Sequence, residues 1–130
     1  MQVLNREKTI FGNHCDNSFV FPGLAMGAVL SGATRVTDEM LIAAAKRFSR
    51  LVTEYDARQG KLFPRVENIR GVTEDIIVDV GRAAIRNKVA AGGLRGLDWS
   101  SGNLKEDVKR LLWYPEYVQY IDATWTDSAH

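Results

Sequence analysis

Apolar positions in this chain fall into helical stripes after residue 22 and into shorter runs before it. Residues 1–15 show no helical period, and Thr9-Ile10-Phe11 reads as a short strand ended by Gly12. Ser18 to Phe21, with aromatic and β-branched side chains, predicts a second strand closed by Pro22 and Gly23. A helix from about Gly23 to Ser31 follows. It places Gly23, Gly27 and Ser31 on one face, a spacing that lets another backbone come close. Gly32 ends it. Thr37 is expected to cap the next helix, with Asp38 and Glu39 in a first turn where the helix dipole favours negative charge. There Leu41, Ala44, Phe48 and Leu51 recur at helical spacing, and Lys46, Arg47 and Arg50 are expected to face water.

Gly60 and Pro64 mark a loop, and a long helix is predicted from about Val66 to Val89. Its stripe is Ile69, Val72, Ile76, Val80 and Ala83, and Asp79 and Arg82 are expected to pair on its outer face. Gly81 in the interior costs about 1 kcal/mol relative to alanine, which predicts a close neighbour. Gly92, Gly93 and Gly96 form a flexible connection. Asn103 with Glu106 is a capping-box pattern for a short helix, about Leu104 to Leu112, and Pro115 stops it. The segment after it carries Trp113, Tyr114, Tyr117, Tyr120 and Trp125. Aromatics presented on two sides of a terminal segment suit a contact between two surfaces, so these five predict an interface with another chain. The expected architecture is one domain over 1–130, mainly α. It has an irregular arm at 1–16 with short strands near the N-terminus, about four helices, and an extended tail at 113–130.

At 130 residues one domain is the ceiling, and a hydrophobic fraction of 45% with 25% charged residues is that of a globular chain. The net charge of +1 leaves no excess to neutralise phosphates, which argues against nucleic acid as a partner. The run from Phe19 to Leu30 is too short to span a bilayer and is broken by Pro22 and Gly23, so no membrane insertion is expected. Cys15 is the only cysteine and cannot form an intrachain disulfide. With no signal-peptide pattern at the N-terminus, the expected location is intracellular, cytosol or mitochondrial matrix.

Chemistry-bearing clusters are few. His14, Cys15 and Asp16 are adjacent and all of ligand type, but their spacing does not suit one short loop presenting three ligands. Gly92-Gly93-Leu94-Arg95-Gly96 follows a helix and reads as a hinge, not a phosphate loop. Asn17 has two readings: an amide that fixes a turn, or a neutral group that donates to a substrate carboxylate and accepts from a hydroxyl.

Five segments carry a resemblance. Asp16-Asn17-Ser18-Phe19-Val20-Phe21-Pro22-Gly23-Leu24-Ala25-Met26-Gly27 is similar to Asn-Asn-x-Tyr-Ile-Phe-Pro-Gly-(Ile/Leu)-(Gly/Ala)-Leu-Gly of the malic enzymes. Ser31 to Leu41, with Arg35 and Asp38, fits the family's next segment. Gln59-Gly60-Lys61-Leu62-Phe63-Pro64 resembles Gln-Gly-Arg-Leu-Tyr-Pro, and Asn68-Ile69-Arg70-Gly71-Val72-Thr73 resembles Asn-Ile-Arg-Asp-Val-Ser. Leu112-Trp113-Tyr114-Pro115-Glu116-Tyr117 resembles the family's Tyr-x-Pro-(Asp/Glu)-Tyr. The matches run in order from about residue 12 to 125.

The resemblance implies the C-terminal part of the family's NAD(P)-binding Rossmann-type domain without its parallel sheet. Malic enzymes oxidise malate with NAD or NADP and a divalent metal (Mg or Mn) and then decarboxylate the product. Their acid/base pair, metal carboxylates and glycine fingerprint have no counterpart here, so the resemblance implies no catalytic, cofactor-binding or metal-binding residue in this chain. It implies one substrate-binding position, Asn17; Asp16 stands where the family has its first asparagine. Helix faces that the sheet would cover need a partner or a repacked core. The leading expectation is a non-catalytic structural or interaction subunit held by other protein chains. The alternative is a fragment or split half of an NAD(P)-dependent malic enzyme. A third reading is a small carboxylate-binding module.

Overall fold

The computed structural model of the chain describes residues 15–90, 93 and 96–116, and the backbone of 2–5 and 8–11. Strand β1 (Gln2–Asn5) pairs antiparallel with β2 (Lys8–Phe11), in a register that sets Gln2 opposite Phe11 and Asn5 opposite Lys8. The short N-terminal strands expected from the sequence are present as an antiparallel pair. Val3, Thr9, Ile10 and Phe11 are residue types that favour a pleated backbone, and the strand read at Thr9-Ile10-Phe11 lies within β2.

Four longer helices and one short one follow: α1 (Phe21–Ser31), α2 (Asp38–Arg50), α3 (Glu54–Arg58), α4 (Ile69–Arg86) and α5 (Leu104–Leu111). Helix α4 is the centre, with α1, α2 and α5 all packed on it. It divides the interior in two. On one side Val72, Ile76 and Val80 meet Leu24, Met40, Ala44 and Phe48. On the other, Ile77 and Val78 meet Leu30, Trp99, Leu104 and Val108. Full burial of such a side chain is worth about 1.5–3 kcal/mol. The stripe read from the sequence of α4 is the first of these faces; the second turns a surface helix into a buried one.

Glycine sets how closely these helices approach. A Cβ on Gly23 would meet Ile76 Cγ2 at 2.6 Å, and one on Gly27 would meet Val80 Cβ at 2.8 Å. A Cβ on Gly81 would stand 1.9 Å from the Trp99 ring. The close neighbours expected at all three positions are present. Helix α1 ends at Gly32 in the left-handed region (φ 69°), and the chain then pairs at Ala33 with Ala90. Thr34 N–H donates to the Val89 carbonyl at 2.9 Å, pinning the ends of α1 and α4 together.

Several local expectations are corrected. Ser18 to Phe21 is not a strand. Asn17–Phe19 is a 3₁₀ turn and Phe21 already opens α1. The Asp16 carboxylate accepts from Ser18 N–H at 2.8 Å, closing the turn, and Pro22 sits in the first helical turn, where its missing N–H has no helical partner to lose. In α2 the buried line is Met40, Ala44 and Phe48, and Leu41 is exposed; periodicity alone did not decide which neighbour of the pair faces α4. Arg47 does not face water but forms a bidentate pair with Asp79, at 2.7 and 2.9 Å. Arg82 instead donates to the carbonyls of Trp99 and Ser101, both at 3.0 Å, and holds the loop that carries Trp99 over Gly81. Thr37 and Asn103 occupy the N-cap positions of α2 and α5 without making side-chain cap bonds.

Candidate functional site

The segment 15–20 is organised by Asp16. Its carboxylate caps the 3₁₀ turn through Ser18 N–H and also accepts from the Ser18 hydroxyl. An acid can fill this position because a carboxylate oxygen accepts from an N–H as well as an amide oxygen does. Phe19 is buried, its ring 5.6 Å from that of Phe48, which anchors the turn to α2. Asn17 lies between these fixed neighbours and is exposed. Its backbone carbonyl accepts from Val20 N–H at 3.2 Å within the turn, and the side chain that caps the turn is that of Asp16. Burial pushes the Cys15 thiol above its usual range, and the Asp16 charge acts in the same direction, so Cys15 is no activated nucleophile.

A cleft of about 390 Å³ lies beside the turn. Asp16, Ser18 and Phe19 line one side, and Lys61, Pro64, Arg65, Val66 and Glu67 the other. Its far wall is built on Asp56, a buried carboxylate in α3. Asp56 accepts from Lys61 Nζ at 3.0 Å, from Arg65 at 2.8 and 3.0 Å, and from the Thr53 hydroxyl at 2.8 Å. The hydrogen bonds from Arg65, then Lys61, then Thr53 hold its carboxyl far below the usual carboxylate range. Reasoning from sequence did not find this network. The signal was Thr53-x-x-Asp56, a capping-box spacing, confirmed by Asp56 N–H donating to the Thr53 hydroxyl at 3.1 Å. The two cations of the cleft are matched by Asp16 and Glu67 at its lining and by Asp56 behind it. The cleft therefore carries no excess of positive charge at its lining, and Asn17 is not among the residues that line it.

Of the five aromatics expected at an interface, two lie among the described residues. Tyr114 packs on its own domain: its hydroxyl donates to buried Glu74 at 2.6 Å, and the Arg70 guanidinium lies 5.0 Å from its ring centre. The bond to Glu74, with burial, raises the phenol above its usual value. Trp113 is 78% exposed, although its carbonyl accepts from Arg70 at 3.4 Å. Tyr117, Tyr120 and Trp125 lie outside the described residues, as does His14.

Pro22-Gly23 lies in the first turn of α1, where Gly23 packs against Ile76. Among the described residues no group of three His, Cys, Asp or Glu side chains is placed to hold a metal ion, and no helix is long and apolar enough to cross a membrane.

Residues 1–85 match the family model of the malic enzyme NAD-binding domain. The chain is 37% identical over 115 residues to the hydrogenosomal malic enzyme of Neocallimastix frontalis, covering 88% of this chain and 19% of that protein. It is 37% identical over 114 residues to the mitochondrial NAD-dependent malic enzyme 2 of Arabidopsis thaliana, covering 84% and 19%. With the mitochondrial NAD-dependent malic enzyme 59 kDa isoform of Solanum tuberosum it shares 34% over 110 residues, covering 81% and 18%. The chain thus spans about a fifth of the length of these relatives. The matching domain model and the relatives aligned over most of its residues establish that this chain belongs to the malic enzyme family.

Proposed function

We propose that the chain is the helical, C-terminal part of the NAD-binding domain of an NAD-dependent malic enzyme, whose reaction is the oxidative decarboxylation of malate to pyruvate. The observation that carries this reading is the alignment of over four-fifths of the chain with relatives named as malic enzymes, the three above among them. A non-catalytic structural role receives no support from those relatives. In this reading Asn17 donates its amide N–H to a carboxylate of malate. The capped turn and buried Phe19 hold it in place, so little side-chain freedom is lost on binding. In this reading NAD and a divalent metal are bound by the assembled enzyme, as in the relatives named NAD-dependent malic enzymes. The exposed Trp113 supports a contact between the aromatic tail and that other part or a neighbouring subunit.

The test is a chimera in which this chain replaces the matching stretch of the Neocallimastix frontalis enzyme. It should turn over malate with NAD. Asn17→Ala in it should lower kcat/KM by about 10- to 100-fold, the loss of one hydrogen bond to a charged group. Undiminished turnover in the Asn17→Ala chimera would remove Asn17 from the substrate site.

A further inference from the structure

A cavity of about 230 Å³ lies where the N-terminal halves of α1 and α4 meet the segment that follows α5. Pro22, Met26, Leu112 and Trp113 give it mostly apolar walls, and Arg70 is the charged side chain that lines it. The state of that arginine is unusual for this chain. Arg47, Arg58, Arg65 and Arg110 each pair with a carboxylate, whereas Arg70 forms no ion pair with any described residue. It is nevertheless held. Its guanidinium lies 5.0 Å from the Tyr114 ring centre, and Nη1 donates to the Trp113 carbonyl at 3.4 Å. Tyr114 is fixed in turn by its hydroxyl, which donates to buried Glu74 at 2.6 Å. The Thr73 hydroxyl, also at the lining, donates to the Ile69 carbonyl at 2.9 Å. Both hydroxyl protons are therefore engaged, and the guanidinium, with five N–H donors, keeps protons to give.

We infer that this cavity binds a free monocarboxylate with a short apolar body, its carboxylate on Arg70 and its body against Pro22, Met26, Leu112 and Trp113. Asn17 does not line the cavity, and the inference stands apart from the malic enzyme reading. Charge, wall chemistry and volume together set the ligand class. A planar guanidinium fork matches a carboxylate, and one cation matches one. A second carboxylate, or a row of hydroxyls as in malate, would meet apolar walls without partners and lose its hydration. The volume falls below the roughly 300–1,000 Å³ of pockets for drug-sized ligands, which limits the body to a few carbons. Affinity comes from two sources. Trp113 is 78% exposed, so a ligand body laid on it removes apolar surface from water. Stacking on Tyr114 holds Arg70 before the ligand arrives, so less freedom is lost on binding.

The test titrates isocaproate into the isotope-labelled 130-residue chain and follows backbone amide shifts by NMR. Saturable shifts are expected at Met26, Arg70 and Trp113. Isocaproamide, which keeps the body and loses the charge, should bind at least about 10-fold more weakly. Acetate, which keeps the charge and loses the body, and malate should do the same. Arg70→Gln should weaken isocaproate by about 10- to 100-fold while its thermal melt stays near that of the wild type. If Arg70→Gln does not fold, the comparison of acid with amide on the wild-type chain decides alone. No saturable shift, equal binding of isocaproamide, or shifts centred on Lys61 and Arg65 overturns the inference. So does tighter binding of N-acetyl-glycyl-leucine than of isocaproate, which assigns the cavity to the end of a polypeptide. Malate oxidation by the chimera is read separately, so failure of the proposed function leaves this test intact.

Discussion

Helices α1 and α2 both pack on α4, by opposite means. Helix α1 crosses on glycine, with Gly23 and Gly27 letting its backbone reach Ile76 and Val80 directly while Leu24 and Leu30 flank the crossing. Helix α2 stands off, with Met40, Ala44 and Phe48 filling the space and Phe48 tilted against Phe19 at 5.6 Å and stacked on Phe63 at 5.9 Å. Its outer face carries Lys46 and Arg50, and its flank is tied down by Arg47–Asp79. One contact depends on the absence of atoms and the other on their presence. Both helices also expose apolar side chains, Leu41 and Ile42 on α2 and Phe21 and Val29 on α1, but only α2 mixes them with charged residues.

The largest expected effect is on the α2 side. Phe48→Ala removes the ring that joins Phe19, Phe63 and α4, and should destabilise by about 3–5 kcal/mol in denaturant unfolding. A loss below about 1 kcal/mol would mean that the space collapses and that α2 is not held by volume. On the α1 side, Gly27→Leu forces side-chain atoms into Val80 and should cost about 1–3 kcal/mol by overpacking. Gly102→Ala, where an added Cβ meets nothing within 4 Å, is the control and should be nearly neutral. Equal effects of the two would show that α1 does not need its close approach.

The loop beyond α2 sharpens the comparison through pH. The folded-state carboxyl of Asp56 lies below its usual 3.8. Its contribution to stability is therefore complete above that range and is lost as pH falls through the folded value. Asp56→Asn should melt lower than the wild type at neutral pH, and the gap should close on acidification. A gap independent of pH would show that the network acts by shape and not by charge. The smallest effect belongs to Arg47→Ala. With both partners of the pair partly exposed, the loss should stay near or below about 1 kcal/mol and shrink in high salt. A larger, salt-independent loss would mean that the arginine stem packs α2 on α4 as Phe48 does.

Much of the fold was legible from residue type and spacing alone. The stripe of α4, the ends of α1 at Gly32 and of α5 before Pro115, and the need for a neighbour at Gly23, Gly27 and Gly81 all follow from local chemistry. The ordered motifs around Asn17, Lys61 and Asn68 point to the family without any coordinate. Tertiary structure decided what spacing leaves degenerate. Phe19-Val20-Phe21 suits a strand or a helix entry equally, until Asp16 closes the turn and Phe19 finds Phe48. Met40 and Leu41 are both apolar, and only the position of α4 selects Met40 for burial. Asp79 could pair with Arg82 on its own helix, but Arg47 from α2 reaches it first and frees Arg82 to hold the Trp99 loop. Glu74 is a polar position on a helix until Tyr114, 40 residues later, covers it. Each of these choices depends on a contact between residues distant in sequence, and periodicity within one segment carries no information about the partner that another segment brings.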